Sequence, residues 1–249
     1  QEAGGIMLQS NYRPKLKNVE ITNNSGITGG GLVIESSFKA SVVNSTIASN
    51  TSIIGSGLYI YGASHEPRII NTIIKENYSD FLQEDIESSV ALSSAIEPLI
   101  YYSNIESGCI DLPGDLSEAT WVDNVGSGCE DWNEVECELY GDDEGLSNGE
   151  GTPNEKCCQC GGGSRSYDFT DVGEGNINES PSFINPSIFE PDYSLSSGSS
   201  SIDAGIDYLE HDGNEELIQL SEDDFNSCMP DIGAYESSSV GPNCTASSN

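Results

Sequence analysis

Short apolar segments recur in the first third of the chain at a nearly constant interval. The segments GGIML (4–8), GGLVI (30–34) and SGLYI (56–60) begin 26 residues apart. Three more columns repeat at spacings of 26 and then 27 residues: Asn18, Asn44 and Asn71; Ile21, Ile47 and Ile74; and Asn24, Asn50 and Asn77. A fixed period in this range is typical of stacked supersecondary units.

Within each unit, apolar and polar residues alternate over short runs, as they do in half-buried strands. Two such strands and two turns leave no space for a helix within 26 residues. We therefore predict an all-β chain that forms a parallel β-helix with coils of about 26 residues. Equivalent isoleucines should stack inward and equivalent asparagines should stack at a turn. A β-sandwich with accidental internal similarity is the alternative.

The sequence also resembles a known group of proteins. The 26-residue units resemble the right-handed β-helix repeats of secreted and cell-surface proteins, and a fourth, less regular coil ends in LIYYSNIESG (99–108) with Ile105 at its centre. Later motifs resemble the closing section of many such domains: GNI (175–177), PSF (181–183), NP (185–186), DYSL (192–195), IDAG (202–205), DGN (212–214) and DIGAYE (231–236). The resemblance implies β-helix coils (1–108), an acidic cysteine-rich insertion (109–166), and a closing β-helix section with a disulfide-clipped tail (167–249).

The insertion contains six of the eight cysteines: Cys109, Cys129, Cys137, Cys157, Cys158 and Cys160. Its end, TPNEKCCQCGGG (152–163), resembles small cysteine-rich modules in secreted proteins of marine microalgae. We predict three disulfides within it, because a segment with few core-forming residues needs cross-links. Cys157 and Cys158 should have different partners, and Cys228 should pair with Cys244. A zinc site is the alternative for the CCxC run, although the spacing fits no paired zinc-ligand pattern.

Charge is distributed unevenly along the chain. The net charge is −34; residues 1–79 carry six basic and five acidic side chains, whereas residues 80–249 carry two basic and 37 acidic ones. Such a protein should repel nucleic acid and anionic lipid, and no apolar run is long enough to insert into a membrane. We expect no organic cofactor. Ca²⁺ is the ion that acidic loops could attract, with weak candidate ligands at Asp142, Asp143, Asp212 and Glu215; solvated acidic loops are the simpler interpretation.

Six Asn-X-Ser/Thr sequons occur, at Asn23, Asn44, Asn50, Asn77, Asn178 and Asn243. If the source is eukaryotic, some of them should carry glycans, with Asn243 exposed near the tail. Asn50 and Asn77 belong to one repeated column, so neither could be glycosylated if that column faces inward. The alternative is that sequons follow from the abundance of Asn, Ser and Thr at the turns.

These features favour a non-catalytic structural or adhesive module of an extracellular or cell-surface assembly, such as a filament subunit or a part of a larger exported chain. Its partners would be other copies or segments of the same assembly, and glycans, because the first coil begins at Gly4 without residues that could cap it. A carbohydrate-active enzyme or a carbohydrate-binding β-helix is the alternative, with Tyr59 and Tyr61 as an outward-facing pair on one strand. Arg13, Lys39 and Arg68 are interpreted as solvated turn residues.

Overall fold

The computed structural model describes most of the chain outside the cysteine-rich insertion. The described residues are 3–62, 66–79, 90–93, 98–106, 108–110, 123–125, 128–129, 132, 134–143, 145, 147, 151–157, 160, 164–167, 169–211, 213, 215–239 and 241. They are mostly β, and the strands of successive repeats pair in parallel. The expectations for Cys158, Asp212, Asn243 and Cys244 lie outside these residues.

The largest sheet has six strands, of which the first five are parallel. In spatial order these strands are β1 (Ile6–Gln9), β4 (Leu32–Glu35), β8 (Leu58–Tyr61), β12 (Val90–Ser93), β15 (Gly108–Ile110) and β16 (Ser164–Tyr167). The last strand pairs antiparallel with β15. Because β15 and β16 lie mostly within residues 109–166, this sheet includes both ends of the predicted insertion.

Three further sheets contain the other strands of the repeats, again in parallel. One contains β2 (Lys15–Lys17), β5 (Ser41–Val43), β9 (Arg68–Ile70) and β13 (Leu99–Tyr101); another contains β3 (Glu20–Thr22), β6 (Thr46–Ala48), β10 (Ile73–Lys75) and β14 (Asn104–Ile105); the smallest contains β7 (Thr51–Ser52) and β11 (Tyr78–Ser79). We refer to β1–β3, β4–β7, β8–β11 and β12–β14 as repeats one to four.

Equivalent residues of successive repeats lie side by side. Ile21 pairs with Ile47, Ile47 with Ile74, and Ile74 with Ile105. All four belong to one core cluster, and Ile21, the most exposed of them, is only 3% exposed. The predicted inner row is therefore confirmed through the fourth repeat. These parallel, in-register sheets are compatible with the predicted β-helix.

The turns explain why asparagine recurs. Asn18, Asn44 and Asn71 each lie just after a strand, with φ of 55°, 45° and 49°. This left-handed backbone conformation is unfavourable for most residues, but asparagine adopts it more readily because its short amide can bond locally. In the fourth repeat the equivalent turn residue is Tyr102, with φ of 47°. The column therefore marks one conserved backbone geometry in each repeat.

The chain after the insertion closes one end of the stack and then covers its outer faces. A short 3-10 helix (Phe169–Asp171) places Phe169 in the main core cluster. Two antiparallel hairpins follow: β17 (Phe183–Asn185) with β18 (Asp192–Leu195), and β19 (Tyr208–His211) with β20 (Glu215–Gln219). Both hairpins belong to the closing section that the sequence predicts.

Each hairpin contributes to a second apolar layer outside the strands. Beside the isoleucines that face the core, the outward residues Ala48 and Ile73 pack in a cluster that includes Phe183 and Tyr193. Val43 and Ile70 pack in the same way with Leu217. In the second and third repeats the strands of these two sheets are therefore buried on both faces, which is why β9 and β10 read as nearly continuous apolar runs. In the first repeat, the outward residues Lys15, Lys17 and Glu20 are exposed.

The described part of the insertion is built around disulfides and two short helices, α1 (Glu134–Tyr140) and α2 (Pro153–Lys156). Trp132 and four cysteines form its small core. The N–H of Thr152 donates to Oε2 of Glu155 at 2.9 Å, which satisfies a backbone donor at the start of α2. Cross-links thus take the place of an extended hydrophobic core here.

Candidate functional site

The second asparagine column forms a continuous hydrogen-bonded ladder. Nδ2 of Asn24 donates to Oδ1 of Asn50 at 3.0 Å, and Nδ2 of Asn50 donates to Oδ1 of Asn77 at 3.0 Å. The backbone N–H groups of Asn24 and Asn50 donate to the same two oxygens. Since Asn50 is 0% and Asn77 is 2% exposed, the ladder satisfies polar groups that have no access to water.

This burial decides which sequons can accept a glycan in the folded chain. Asn50 and Asn77 are buried inside the ladder and leave no space for a sugar, and Asn44 is only 6% exposed, with its Oδ1 accepting from Nδ2 of Asn71. Asn23 and Asn178 are both exposed, and Nδ2 of Asn23 donates to the Tyr193 hydroxyl at 3.1 Å. Among the described residues, these two sequons are therefore the accessible ones.

The two tyrosines of β8 do not form an open platform for a sugar ring. Their rings stack with centroids 5.0 Å apart, as expected for residues on the same face of a strand. Tyr59 is only 5% exposed, and it packs between Val33 and Ala91 of the neighbouring repeats. Only Tyr61 retains partial exposure. The pair therefore extends the apolar outer layer of the largest sheet.

A cluster of three charges connects the closing section to the repeats. Oε2 of Glu215 on β20 lies 2.6 Å from Nζ of Lys39 and 2.5 Å from a guanidinium nitrogen of Arg68. The hydrogen bond from Lys39 is the largest influence on the Glu215 carboxyl, and with the Arg68 charge it lowers the pKa of Glu215 to about 2. Glu215 is thus committed to two cations of the chain rather than to Ca²⁺.

The interpretation of Arg68 as a solvated turn residue is wrong. Arg68 is the first residue of β9 and is only 8% exposed. Sequence spacing placed it beside the turn, but the hairpin β19–β20 covers its side chain. Burial makes a counter-charge necessary, and Glu215 supplies it. Arg13 is exposed as expected, and it lies against the stacked rings of Tyr12 and Phe38.

Three carboxyl groups meet where the closing section ends. Asp203 and Asp231 are each 2% exposed, and Oδ1 of Asp231 accepts the backbone N–H of Asp203 at 2.8 Å. Glu236 accepts the N–H of Asp231 at 3.1 Å. Burial, then the Asp231 charge, raises the pKa of Glu236 to about 7. Burial likewise raises the pKa of Asp231.

Sequence reasoning did not assign a role to these three acids. They occur in the motifs IDAG and DIGAYE, which were recognised only as features of the closing section. Their bonds are to backbone N–H groups, including those of Ser237 and Gly241. This arrangement holds the turns of the last described segment together. Asp142 and Asp143 are exposed, and no group of three or more metal-ligating side chains occurs among the described residues.

Two disulfides are present in the described residues, Cys129–Cys157 and Cys137–Cys160. Cys228 is also disulfide-bonded. Because Cys157 pairs with Cys129, the CCxC run cannot supply all of its thiolates to zinc. Disulfides are typical of proteins in an oxidising environment.

None of the helices in the described residues is long and apolar enough to cross a membrane. Comparison of the chain with models of protein families, with curated proteins and with solved structures finds no match. The features of this chain that bear on its function are the in-register repeats, their buried ladder and the section that covers them.

Proposed function

We propose that this chain is a non-catalytic structural or adhesive module of an extracellular surface assembly, built as a right-handed parallel β-helix with a cysteine-rich insertion. One observation carries the proposal: the buried asparagine ladder and the isoleucine row continue in register through successive repeats. Such a core is specified by matching each repeat to its neighbour. It supports a stiff, elongated unit rather than a hinged cleft.

The outer surface fits a structural role as well. The closing hairpins cover the outer faces of the two sheets that contain β5 and β6. On the outer face of the largest sheet, Tyr59 is buried. Glu236 and Asp231, whose pKa values are raised, accept hydrogen bonds from backbone N–H groups. Glu215, whose pKa is lowered to about 2, binds Lys39 and Arg68. A carbohydrate-active site would instead need carboxylates that converge on open space at a fixed separation.

Assembly partners would add strands at the first repeat. Within the described residues, β1, β2 and β3 each pair on one side only. The edge of β2 that faces away from β5 presents the backbone of Lys15 and Lys17, since Pro14 and Asn18 bond to β5. Unpaired strand edges readily accept a further strand. The expected partner is a strand of another copy or another segment of the assembly.

Light scattering after size-exclusion chromatography tests this proposal, alongside a screen of polysaccharides for binding and for new reducing ends. We expect a concentration-dependent increase in mass that Lys17→Pro reduces, because proline removes an N–H from the open edge without touching the β5 ladder. Lys17→Ala is the matched control and should associate like the parent chain. New reducing ends would refute the structural role in favour of the enzymatic one.

We also propose that the chain is exported and glycosylated outside the ladder. The disulfides and the exposed sequon at Asn23 support this proposal. Expression in a secreting eukaryotic host, followed by mapping of glycopeptides, should find Asn50 and Asn77 unmodified in the folded protein. A glycan at either position would contradict the ladder, because its amide nitrogen already donates to buried acceptors.

A further inference from the structure

A buried lysine lies against the start of the closing section. Lys75 is the last residue of β10, and it faces away from the core because Ile74 faces inward. It is nevertheless only 6% exposed, and its Nζ donates a hydrogen bond to Oδ1 of Asn178. Burial penalises an ammonium charge, and the neutral amine is the nucleophilic form of lysine.

Two glutamates lie beside this pair. Ile74 is in register with Ile105, so the next positions, Lys75 and Glu106, are neighbours on adjacent strands. Glu76 follows Lys75 directly. Burial, and then the charge of Glu106, raise the pKa of Glu76, while the charge of Lys75 acts in the opposite direction. A carboxyl group with a raised pKa therefore lies near enough to Lys75 to interact with its charge.

We propose that Lys75 and Asn178 form an intramolecular isopeptide bond. The neutral Nζ attacks Cγ of Asn178, a bond from Nζ to Cγ forms, and the bond from Cγ to Nδ2 breaks. Nδ2 leaves as ammonia after taking up a proton, and Nζ loses one, so the reaction consumes nothing else. Glu76 donates to Oδ1 as negative charge develops there and then carries the proton to the leaving nitrogen.

The surroundings suit this reaction in two respects. The reacting groups are brought together by pairing that the fold already requires: Ile177 bridges to Asn104 of β14, and Asn104 pairs with Ile73 of β10, so that only β14 separates Asn178 from β10. Asn178 is exposed, so ammonia can leave to solvent. The product would fix the start of the closing section covalently to the third repeat. It also excludes a glycan at Asn178, because both modifications use Nδ2.

Intact-mass measurement of the reduced, folded chain tests this proposal. The 249-residue protein is made in the periplasm of a bacterial host that lacks N-glycosylation. We expect a mass lower than the sequence mass by one ammonia, and a digest in which the peptides containing Lys75 and Asn178 are joined. Lys75→Arg should restore the full mass. Lys39→Arg, the matched control at a lysine that is ion-paired with Glu215, should keep the deficit.

The same experiment separates the proposal from its competitors. A succinimide at Asn178 also loses ammonia, but its two peptides separate on digestion, and that result would overturn the proposal. A full mass in the folded parent chain would do the same without any variant. After refolding, Glu76→Gln should slow joining by about 100-fold or more, whereas Glu106→Gln should slow it less. Equal rates of joining in the parent chain and in Glu76→Gln would contradict the proposed role of Glu76 in the reaction.

Discussion

Replacing Asn50 by alanine should be among the most destabilising polar substitutions in the chain. Its Nδ2 donates to the carbonyls of Ile21 and Ala48 and to Oδ1 of Asn77, at 2.8–3.1 Å. Its Oδ1 accepts both the backbone and the side-chain N–H of Asn24. Alanine removes all five bonds at a site with no exposure to water.

The expected loss follows from the number of bonds and from the groups that would remain unpaired. A typical hydrogen bond contributes about 1 kcal/mol net, and an unsatisfied buried partner costs about 1–3 kcal/mol. Oδ1 of Asn77 keeps the backbone N–H of Asn50 as a donor, and Asn24 is half-exposed, so water can compensate part of the loss. We expect Asn50→Ala to lower the free energy of unfolding by about 3–5 kcal/mol.

Asn24 provides a matched control in the same column. Its side chain donates to Oδ1 of Asn50 and to the carbonyl of Thr22, and it is only partly buried. Asn24→Ala should therefore cost about 1–2 kcal/mol. Both variants should be unfolded in urea at neutral pH, after production in a host without N-glycosylation so that the lost sequon has no effect.

The decisive quantity is the difference between the two variants. If burial determines how much each asparagine of the ladder contributes to stability, the urea midpoint should fall much further in Asn50→Ala than in Asn24→Ala. The dependence of the free energy of unfolding on urea concentration should stay unchanged. Losses that agree within about 0.5 kcal/mol would refute the reasoning, because this is the scatter of an ordinary surface substitution. A changed slope would mean that the repeats no longer unfold together.

Three further predictions test other parts of the fold. The pKa of Glu236 is raised from 4.5 to about 7. Its protonated carboxyl therefore stabilises the folded state fully below about pH 4.5, and this stabilisation is lost as the pH rises through 7. Thermal melts should show that Glu236→Gln removes this loss of about 1–2 kcal/mol after solvent screening. Glu215→Gln leaves Arg68 buried without its counter-charge and should lower the free energy of unfolding by about 1–3 kcal/mol, whereas Lys39→Met, at a more exposed partner, should cost under about 1 kcal/mol; equal losses in denaturant would contradict this account. Because the pKa of Glu215 is lowered from 4.5 to about 2, that stabilisation is present above 4.5 and disappears as the pH falls through 2. Replacing Cys129 and Cys157 by serine opens a loop with a sequence separation of 28 and should destabilise the insertion by about 3–4 kcal/mol, while hydrogen exchange at Ile47 and Ile74 stays slow.

The repeats could be predicted because their signal is local and periodic. Ile21, Ile47 and Ile74 recur at spacings that only stacked units explain, and their pairing confirms the register. The same column predicted that Asn50 stacks with its equivalents, but it left open whether the column faces inward, and the burial of Asn50 now decides this. Periodicity specifies which residues are equivalent, so it predicts both the row and the ladder.

The contacts of the closing section could not be predicted in this way. Arg68 read as a turn residue because nothing near it in sequence indicates Glu215, which lies far along the chain. Asp203 and Asp231 carry no local sign that their carboxyls meet. Contacts of this kind depend on how a non-repeating segment packs on the stack, and neither spacing nor propensity specifies that path. The pairing of Cys129 with Cys157 could not be predicted either, since many connectivities fit one set of cysteines.

The return of the closing section along the outside has a consequence for how the protein is made. Tyr193 bonds to Asn23, and Tyr235 bonds to Glu20, although 170 and 215 residues separate the partners. Synthesis proceeds from the amino end, so the first repeats emerge long before the segment that shields Ala48 and Ile73. Until that segment has been synthesised, Ala48 and Ile73 of the nascent chain lack the apolar cover that they have in the folded protein.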